Sequence, residues 1–434
     1  MPQAAIATFG CKVNQSESAF LAERLAQQGW QLVPPTAAPE LVVVNTCTVT
    51  GAADRQARQY IRRLARPRPS AAVLVTGCYA QRAPEELAGL PGVRWVLGNQ
   101  EKFRLIEIIQ ENHQNQAGII RAASMAAAQT LESMPLTSFY GHTRAFVKIQ
   151  DGCQHFCSYC IIPHVRGPYR SLPQSQVIEQ LRQLSSHGYQ EIVLTGINLG
   201  KYGYDLPGPN NLSGLVRTLA PAGLPGRYRL SSIEPQEVTP GLLRQLADWP
   251  QFCPHFHLPL QSGSASVLNA MRRPYGPEDF RELINLIHQY FPQAALGVDV
   301  MVGFPGESAA DLAQTQELIE ALPISYLHVF PFSPRPGTPA AQMPQQLPAP
   351  EVKKRAQCLR LLGQKKKAAF YQRQVGQEVE ILIERPCSKN PGWVQGLSAN
   401  YLRLIVEGNS GWTNRLVRAR LVRLVGGQGV ALPL

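Results

Sequence analysis

The apolar positions of the first hundred residues form short runs that are separated by longer amphipathic stretches. Three runs are rich in β-branched and small residues, and each ends in a cysteine: AIATFGC at Cys11, LVVVNTC at Cys47 and AAVLVTGC at Cys78. Continuous apolar runs of this length are typical of buried parallel strands. Because residues 16–29 and 53–65 between them have helical character, the pattern predicts an α/β unit with a parallel sheet.

A second series of strand-like runs starts with TRAFVKIQ at residues 143–150 and is interrupted by helical stretches at 174–188 and 279–291. The further runs are EIVLTG (191–196), YRLSSIEP (228–235), FHLPL (256–260), LGVDVMVGFPGE (296–307) and YLHVFPFSPRPGT (326–338). About six such units predict a partial or full β/α barrel, in which ligands bind at the C-terminal ends of the strands.

Two further changes of pattern divide the rest of the chain. Residues 350–374 predict a basic helix, and the short strands with glycine turns after Gly376 predict a small β-barrel. The stretch from Gln100 to about Thr143 is a helix followed by a weakly patterned segment, which we interpret as a connection. We therefore expect an α/β domain at 1–105, a connecting segment at 106–138, a β/α barrel at 139–370 and a small β-barrel at 371–434.

Positive charge is concentrated in the last part of the chain. The 434 residues have a net charge of +12, and 15 of the 42 basic residues but only 5 of the 30 acidic residues lie after residue 350. This imbalance indicates an anionic partner, and we favour contact with a polyphosphate over a merely solvated strand face. The candidate contact residues are Lys365, Lys366, Lys367, Arg415, Arg418, Arg420 and Arg423.

Composition excludes several classes of protein. A hydrophobic fraction of 44% and a charged fraction of 17% indicate a folded chain rather than a disordered one. No apolar stretch reaches the roughly 18 residues of a membrane helix, and the first residues lack the pattern of a signal peptide. Nine cysteines, an odd number, argue against a disulfide framework, so we expect a cytoplasmic protein without membrane association.

One set of three cysteines has the spacing of metal ligands. Cys153, Cys157 and Cys160 follow a C-x3-C-x2-C pattern, which lets one loop present three thiolates to one centre. An iron–sulfur cluster with one open iron fits this pattern, and we favour it. The alternative is a zinc site completed by His164.

A second set, Cys11, Cys47 and Cys78, ends three predicted strands. The carboxyl ends of parallel strands share one edge of a sheet, so we expect these thiols to converge there. The alternative is three unrelated buried residues, because free cysteine is often buried. The other cysteines show no such pattern, and we interpret them as structural: Cys253, Cys358 and Cys387.

A series of short motifs along the chain is similar to one known family. In order, they are GCKVNQSES, NTCTV, TGC, IQDGCQHFCSYCIIPHVRG, LTGINLG, LSSIEP, HLPLQSG, MRRPY and DVMVGFPGE. Together they resemble the radical S-adenosylmethionine (SAM) methylthiotransferases over essentially the whole chain. The resemblance implies a methylthiotransferase N-terminal α/β domain, a radical SAM partial (β/α) barrel and a C-terminal TRAM domain, a small RNA-binding β-barrel.

Within the family, GCKVNQ resembles the branch that converts N6-threonylcarbamoyladenosine (t6A) at position 37 of tRNA to its 2-methylthio derivative. The isopentenyladenosine branch more often has a Gln–Met pair where this chain has Lys12 and Val13. A third branch modifies a ribosomal protein, which suits the basic C-terminal part less well than RNA does. Ser16 and Gln154 depart from residues common in the family. An alternative of another class is a non-catalytic iron–sulfur RNA-binding protein.

The resemblance also implies the ligands of three cofactors, which are two [4Fe-4S] clusters and SAM. Cys153, Cys157 and Cys160 would hold the cluster that binds and cleaves SAM, and the strand-end cysteines would hold a second cluster that supplies the inserted sulfur. The implied SAM contacts are Tyr159, Thr195, Gly196, Asn198, Ser232, Glu234, Gly303 and Gly306.

Several roles stay open at this point. Tyr159 either lies near the SAM adenine or covers the cluster, and Glu234 either binds the ribose or forms an ion pair inside the barrel. Arg166 and Arg170 reach either the SAM carboxylate or the tRNA. No general acid–base pair stands out, so no catalytic residue is assigned. The implied partners are the anticodon stem-loop of a tRNA and a cytosolic electron donor, and we expect a monomer.

Overall fold

The computed structural model describes residues 1–65, 72–111, 118–388 and 390–434. The strands of the N-terminal unit are β1 (Gln3–Thr8), β2 (Gln31–Leu32), β3 (Leu41–Thr46), β4 (Ala72–Gly77), β5 (Val93–Leu97) and β6 (Ile119–Arg121). They form one parallel sheet in the order β2-β1-β3-β4-β5-β6. β3 and β4 are buried at every position, as their continuous apolar runs predict.

Five helices connect these strands and cover the sheet. They are α1 (Lys12–Gln27), α2 (Gly51–Ala65), α3 (Cys78–Arg82), α4 (Pro84–Ala88) and α5 (Leu105–Glu111). α1 begins at Lys12 rather than at the predicted residue 16, with Cys11 as its N-cap. The strand end, the cysteine and the first helical turn are therefore consecutive in the chain.

The segment that we interpret as a connection, 106–138, contributes to the N-terminal sheet. Its residues Ile119–Arg121 form the edge strand β6, which pairs with β5. Met134 and Leu136 further along are buried in the core. Residues 112–117 lie outside the described residues. Short strands and isolated apolar residues have too little periodicity to be recognised in sequence, and the predicted boundaries at 105, 138 and 370 stay predictions.

A second parallel assembly follows. Its strands are β7 (Arg144–Lys148), β10 (Glu191–Thr195), β11 (Arg227–Leu230), β12 (His255–Gln261), β13 (Ala295–Val302) and β14 (Tyr326–Pro331), with the short pair β8 (Gln150–Asp151) and β9 (Arg170–Ser171) beside β7. The order is β7-β10-β11 in one sheet and β12-β13-β14 in the next, joined by bridges at Tyr228–Phe252 and Ser232–His257. The predicted partial β/α barrel is confirmed.

Helices cover the outside of this barrel and both of its open edges. They are α6 (Ile162–Arg166), α7 (Gln174–Ser186), α8 (Leu212–Leu219), α9 (Pro240–Ala247), α10 (Ala265–Ala270), α11 (Pro277–Tyr290), α12 (Ala309–Ala321) and α13 (Ala349–Arg373). α1 of the N-terminal unit lies against β7, and α13 lies against β14. One apolar core therefore runs through both units. No helix within the described ranges is long and apolar enough to cross a membrane.

The C-terminal unit is a closed barrel of five strands. They are β15 (Glu378–Pro386), β16 (Trp393–Ser398), β17 (Arg403–Glu407), β18 (Leu416–Val425) and β19 (Gln428–Pro433), in the order β15-β16-β17-β19-β18. The predicted small β-barrel is confirmed. The sequence pattern does not predict β19, because its short run follows a glycine pair and lacks alternation.

A buried ionic cluster joins the two barrels. Glu191 accepts from Arg227 at 2.7 Å and from Arg229 at 2.9 Å, and all three side chains are buried. The same arginines also donate to backbone carbonyls of the C-terminal barrel, Arg227 to Leu397 at 2.7 Å and Arg229 to Ala399 at 2.9 Å. The C-terminal barrel thus completes the hydrogen bonding of charged groups inside the β/α barrel, and its removal would leave them unpaired.

We expect Glu191→Gln to lower the free energy of unfolding by about 3–5 kcal/mol, because two buried guanidinium groups lose their counter-charge. Burial alone would raise the pKa of Glu191, but Arg229 and Arg227 lower it from 4.5 to about 2. A carboxyl group with a depressed folded pKa stabilises the fold above 4.5 and loses this contribution as the pH falls towards 2. Denaturant titrations between pH 7 and pH 3 measure both effects.

The matched control is Glu179→Gln on α7, whose carboxylate is exposed and faces Arg182 at 3.9 Å. Equal losses of unfolding free energy in Glu191→Gln and Glu179→Gln would contradict a stabilising role of the buried cluster. So would a stability difference between Glu191→Gln and wild type that does not shrink as the pH is lowered.

Candidate active site

The three strand-end cysteines lie at one edge of the N-terminal sheet. Cys11 caps α1, Cys47 directly follows β3, and Cys78 is the first residue of α3 after β4. A Cβ atom on Gly10, which has a φ of +103°, would lie 2.7 Å from Cβ of Cys47, so only glycine allows this close approach. The charges of Cys11 and Cys78 both act on Cys47. The structure therefore brings the three thiols together.

The second triad lies in one loop between β8 and α6. Cys157 is buried, and Cys153 and Cys160 are half-buried. The loop is tight at Gly152, where φ is +80° and a Cβ atom would lie 1.7 Å from the carbonyl oxygen of Pro168. Such a turn requires glycine, and it directly precedes Cys153, the first cysteine of the loop.

The spacing of the thiols argues against a zinc site. Zinc at about 2.3 Å from each sulfur would place tetrahedral ligands about 3.8 Å apart. Within the described residues, only His257, Asp299 and His328 bring three such donor atoms within 4.8 Å of one another, so neither triad has this compactness. His164, the proposed fourth zinc ligand, is exposed and contacts the ring of Phe156 at its edge. A larger centre fits the triads better.

The thiols are not poised as free nucleophiles. Burial raises the pKa of Cys47 to about 12 and that of Cys153 to about 11. A reactive cysteine needs a depressed pKa, whereas coordination to a metal ionises even a buried thiol. The two triads therefore suit coordination chemistry.

Unpaired polar atoms mark a ligand position beside Cys153. Asn198 lies 4.0 Å from the Cys153 sulfur through its Nδ2 atom, and its backbone N–H donates to Gln150 Oε1 at 2.7 Å. Its Oδ1 atom and Nδ1 of His155 are buried without hydrogen-bond partners among the described residues. Buried polar atoms of this kind need a partner, so a polar ligand fits here. Thr195 at the end of β10 precedes this segment.

A Cβ atom on Gly196 would lie 2.9 Å from Gln150 Oε1, so glycine lets the Gln150 side chain reach the Asn198 backbone.

Arg273 connects the loop triad to Glu234. Its guanidinium donates to Cys157 Sγ at 3.3 Å and to Tyr275 Oη at 3.0 Å, and it forms a short ion pair with Glu234. Burial raises the pKa of Glu234, although Arg273 opposes this effect. The structure shows an ion pair of Glu234 with Arg273, and the ribose contact of Glu234 stays a prediction. The sequence analysis missed Arg273, although it lies in the MRRPY motif, because no spacing relates it to the cysteines.

The other implied contact residues have structural partners. Ser232 donates to the carbonyl oxygen of His257 at 3.3 Å and so links β11 to β12. The backbone N–H of Gly303 donates to Glu307 at 2.7 Å, and Gly306 donates to the Gln345 carbonyl at 3.1 Å. Both glycines have positive φ, which this turn requires.

One cavity of about 180 Å³ lies between the Cys160 end of the loop triad and the residues that follow Cys47. Val49 and Thr50, which follow Cys47, form one side, and the Tyr159–Ile162 stretch, which contains Cys160, forms the opposite side. The inner wall comes from strands β12, β13 and β14, through Gln261, Asp299, Met301 and Phe330. A group bound here contacts Cys160 and the two residues that lie beyond Cys47 in the chain.

A buried network centred on Arg166 holds the two cysteine-bearing units together. Arg166 donates to Glu17 and to Asn14 Oδ1 at 2.6 Å each, and to Cys78 Sγ at 3.2 Å. The expectation that Arg166 reaches SAM or tRNA is wrong, because its guanidinium is fully buried and bonded on all sides.

Arg170, the other candidate, is also buried and bonds to the Arg166 carbonyl at 2.7 Å.

Further charges complete this network. Lys102 and Lys148 donate to Glu17 at 2.5 Å and 2.8 Å, and Lys148 also reaches Asp151 at 3.1 Å. Burial alone would raise the pKa of Glu17, but Arg166, Lys102 and Lys148 hold it well below its usual range. The network combines four cations with two carboxylates and borders Cys78, so it favours an anionic centre there. This network could not be recognised in the sequence, because its charged residues are single and far apart along the chain.

The basic candidates of the C-terminal part differ in their surroundings. Arg415, Arg418, Arg420 and Arg423 are all exposed, and a bulge between Leu421 and Arg423 keeps the last on the outer face. Lys366, however, donates to the carbonyls of Glu320 and Leu322 at 2.7 Å each, at the C-terminal end of α12. Most of the excess charge belongs to α13, with eight basic residues and one acidic residue.

Comparisons with known proteins agree with this arrangement. Residues 3–98 match the model described as "Uncharacterized protein family UPF0004", and residues 147–319 match the Radical SAM superfamily. The chain is 37% identical to threonylcarbamoyladenosine tRNA methylthiotransferase MtaB of Aquifex aeolicus, over 87% of this chain and 92% of the relative. It is 34% identical to tRNA-2-methylthio-N(6)-dimethylallyladenosine synthase of Moorella thermoacetica, over 96% of this chain and 95% of the relative.

Among solved structures, the chain resembles the radical S-adenosylmethionine methyltransferase TsrM from Kitasatospora setae, with cobalamin and a [4Fe-4S] cluster bound. The TM-score is 0.58 at 17% identity, covering 79% of this chain and 77% of that chain. This likeness concerns the fold.

We expect Arg166→Lys to lower the free energy of unfolding by about 1–3 kcal/mol, because lysine keeps the charge but lacks the planar set of donors. Thermal and denaturant unfolding measure this loss. The control is Arg62→Lys on the exposed face of α2. Equal stability of the two variants would mean that the Arg166 hydrogen bonds do not hold the units together.

Proposed function

Since the chain belongs to the radical SAM methylthiotransferase family, we propose that it converts t6A at position 37 of tRNA to its 2-methylthio derivative. The observation that carries this proposal is one cavity lined by Cys160 of the loop triad and by Val49 and Thr50, which follow Cys47 of the strand-end triad. Insertion of sulfur into an unactivated aromatic C–H bond needs a radical source and a sulfur source at the same atom. Relatives from several bacteria named as t6A tRNA methylthiotransferases support the choice of substrate.

Radical SAM enzymes use SAM and a [4Fe-4S] cluster, and we assign the ligands of this cluster to Cys153, Cys157 and Cys160. We assign a second cluster to Cys11, Cys47 and Cys78. Both assignments rest on the convergence of three thiols, of which only Cys11 is exposed, and on a spacing too wide for one zinc ion. When bound, these groups supply a carbon-centred radical and the sulfur atom to be transferred.

The residues around the loop triad bind and orient SAM in this proposal. The unpaired Oδ1 atom of Asn198 and the turn after Thr195 and Gly196 suit the methionyl ammonium group. Glu234, held by Arg273, and Ser232 are the candidates for the ribose side. Tyr159 forms one wall of the cavity.

The turn containing Gly303 and Gly306 supports Tyr159 through Phe304, which belongs to the same apolar cluster. These residues keep water from the reacting groups.

On the other side of the cavity, Arg166 orients the second triad. Its N–H donates to Cys78 Sγ at 3.2 Å, and its remaining donors are fixed by Glu17 and Asn14. The cationic network around it lowers the energy of negative charge on the coordinated thiolates.

The exposed arginines of β18 and the basic helix α13 are the proposed contact surface for the anticodon stem-loop. Since one chain contains both triads, we propose that a monomer is sufficient. A cytosolic electron donor and a cytoplasmic location complete the proposal.

A second candidate substrate is dimethylallyladenosine-37 tRNA, because a synthase for that product is 34% identical over nearly the whole chain. The deciding experiment compares the modified nucleosides of tRNA from cells with and without the gene. Loss of 2-methylthio-t6A alone supports the proposal. Loss of the dimethylallyl product instead, or of neither nucleoside, would overturn it.

We expect the reconstituted protein to hold about eight irons per chain, and Cys47→Ala or Cys157→Ala to hold about four. Neither variant forms 2-methylthio-t6A, but Cys47→Ala retains SAM cleavage and Cys157→Ala loses it. Iron analysis and separate assays of the two products test this. Exposed Cys358 on α13 provides the control, Cys358→Ala. Normal formation of 2-methylthio-t6A by Cys47→Ala would contradict the assignment of the sulfur-supplying cluster to Cys11, Cys47 and Cys78.

Charge reversal tests the RNA surface better than deletion of the C-terminal barrel, which would expose Arg227 and Arg229. We expect Arg415→Glu/Arg423→Glu to weaken tRNA binding and to reduce the slope of log affinity against log salt by about 2. Fluorescence anisotropy at several salt concentrations measures both. The control, Arg217→Glu/Arg244→Glu, changes exposed arginines on α8 and α9 to the same extent. An equal slope change in both pairs would mean non-specific electrostatics.

A further inference from the structure

Three neighbouring strands of the β/α barrel place a polar group of residues at its inner wall. His257 on β12 lies 2.9 Å from Asp299 Oδ1 on β13 through its Nε2 atom, and His328 on β14 lies 3.3 Å from the same oxygen through its Nδ1 atom. The two imidazole rings are 4.9 Å apart. We name these three residues the His–Asp–His wall. None of them belongs to either cysteine triad or to the implied SAM contacts.

The wall borders the cavity at the loop triad through Asp299, which lines that cavity together with Cys160. The exposed fraction of the side chain is 50% for His328 against 13% for His257. On the other side of the wall, His255 stacks on Tyr401 of the C-terminal barrel at 4.0 Å, and His328 also lines a second cavity beside Tyr326 and Tyr401. Polar groups of the wall are therefore accessible to a ligand that enters the cavity at Cys160.

Each imidazole has one nitrogen left for a ligand. Within the described ranges, neither Nδ1 of His257 nor Nε2 of His328 forms a hydrogen bond. The nearby Arg229 donates to Glu191 instead. Burial would raise the pKa of Asp299, but its hydrogen bonds with His257 and His328 lower it to about 2, so the carboxylate stays ionised and orients both rings. The wall thus offers hydrogen-bonding groups at fixed positions.

Substrate geometry relates the wall to the adenine. C2 and N6 of adenine are separated only by N1 and C6, so a substituent on N6 starts close to the reacting carbon of the proposed reaction, and we take it to contact other residues that line the same cavity. A threonylcarbamoyl group has a carboxylate, a hydroxyl and urea N–H groups, whereas a dimethylallyl group has no hydrogen-bonding atom. An apolar substituent would leave the wall desolvated and unpaired, and sites of this kind reject such analogues strongly.

We propose that the His–Asp–His wall binds the polar N6 substituent of the target adenosine, and that His328 is the main specificity-determining residue. This inference rests on the proposed function and deepens it. His328 is the most exposed member of the wall, with 50% of its side chain accessible against 20% for Asp299 and 13% for His257, so it is the member most open to a ligand.

The test compares two anticodon stem-loops that differ only at residue 37, with threonylcarbamoyl or dimethylallyl on N6. His328→Phe keeps a ring of similar size but removes the polar atoms, and His328→Asn retains a donor towards Asp299. We expect His328→Phe to lower kcat/KM for the threonylcarbamoyl RNA about 10- to 100-fold, mainly through KM, and to weaken its binding measured by fluorescence anisotropy. In His328→Phe, the ratio of kcat/KM for the threonylcarbamoyl RNA to kcat/KM for the dimethylallyl RNA falls by the same factor. His328→Asn keeps part of this preference.

His288→Phe, an exposed histidine of α11, is the matched control and leaves the preference unchanged. Equal losses on both RNAs, or no loss, in His328→Phe would overturn the inference while the wild-type activity on t6A upholds the proposed function. A wild type that modifies neither RNA overturns both. The donor atoms of the wall also lie close enough for one divalent ion, so a stoichiometric non-iron metal that disappears in His328→Phe would overturn the substrate role.

Discussion

The ion cluster between Glu17 and Arg166 is the contact on which the arrangement of the site depends. Glu17 lies on α1, the helix that Cys11 caps, whereas Arg166 is the last residue of the helix that follows the Cys153–Cys160 loop. The bond between them, at 2.6 Å, therefore ties the two cysteine-bearing units at the point where their thiols must face each other. Charges buried this completely require partners, because a single unpaired one costs several kcal/mol. The requirement makes the relative position of the units nearly invariant.

A similar constraint acts at the opposite end of the barrel. Glu191, Arg227 and Arg229 are buried, and the two arginines complete their hydrogen bonds by donating to carbonyl groups of the C-terminal barrel. The C-terminal barrel is therefore part of the catalytic body as well as a candidate RNA surface. Tyr401 of the C-terminal barrel stacks on His255 of β12 and so packs against the end of the β/α barrel away from the cysteines. Substrate access, RNA contact and barrel stability are linked through one interface.

Much of the fold was predictable from local pattern. The apolar runs before Cys47 and Cys78 became fully buried strands, and helix α13 covers 349–373 where the sequence indicated 350–374. The edge strand at Ile119–Arg121 and the last strand of the C-terminal barrel were not predictable, because short runs beside glycine or alanine have no periodicity. The two cysteine triads were predictable as sets, since one has a compact spacing and the other repeats at strand ends.

The sequence by itself determined the residue types that the chemistry needs: six cysteines in two sets, glycines at tight turns and a basic C-terminal part. It could not determine which charges meet. Arg166 and Glu17 are 149 positions apart, and their pairing follows only from the packing of α1 against β7. The same is true of Arg273 beside Cys157 and of His328 beside Asp299. Such ion pairs and hydrogen bonds form between segments that are distant in the sequence, and burial in the tertiary structure decides which of them form.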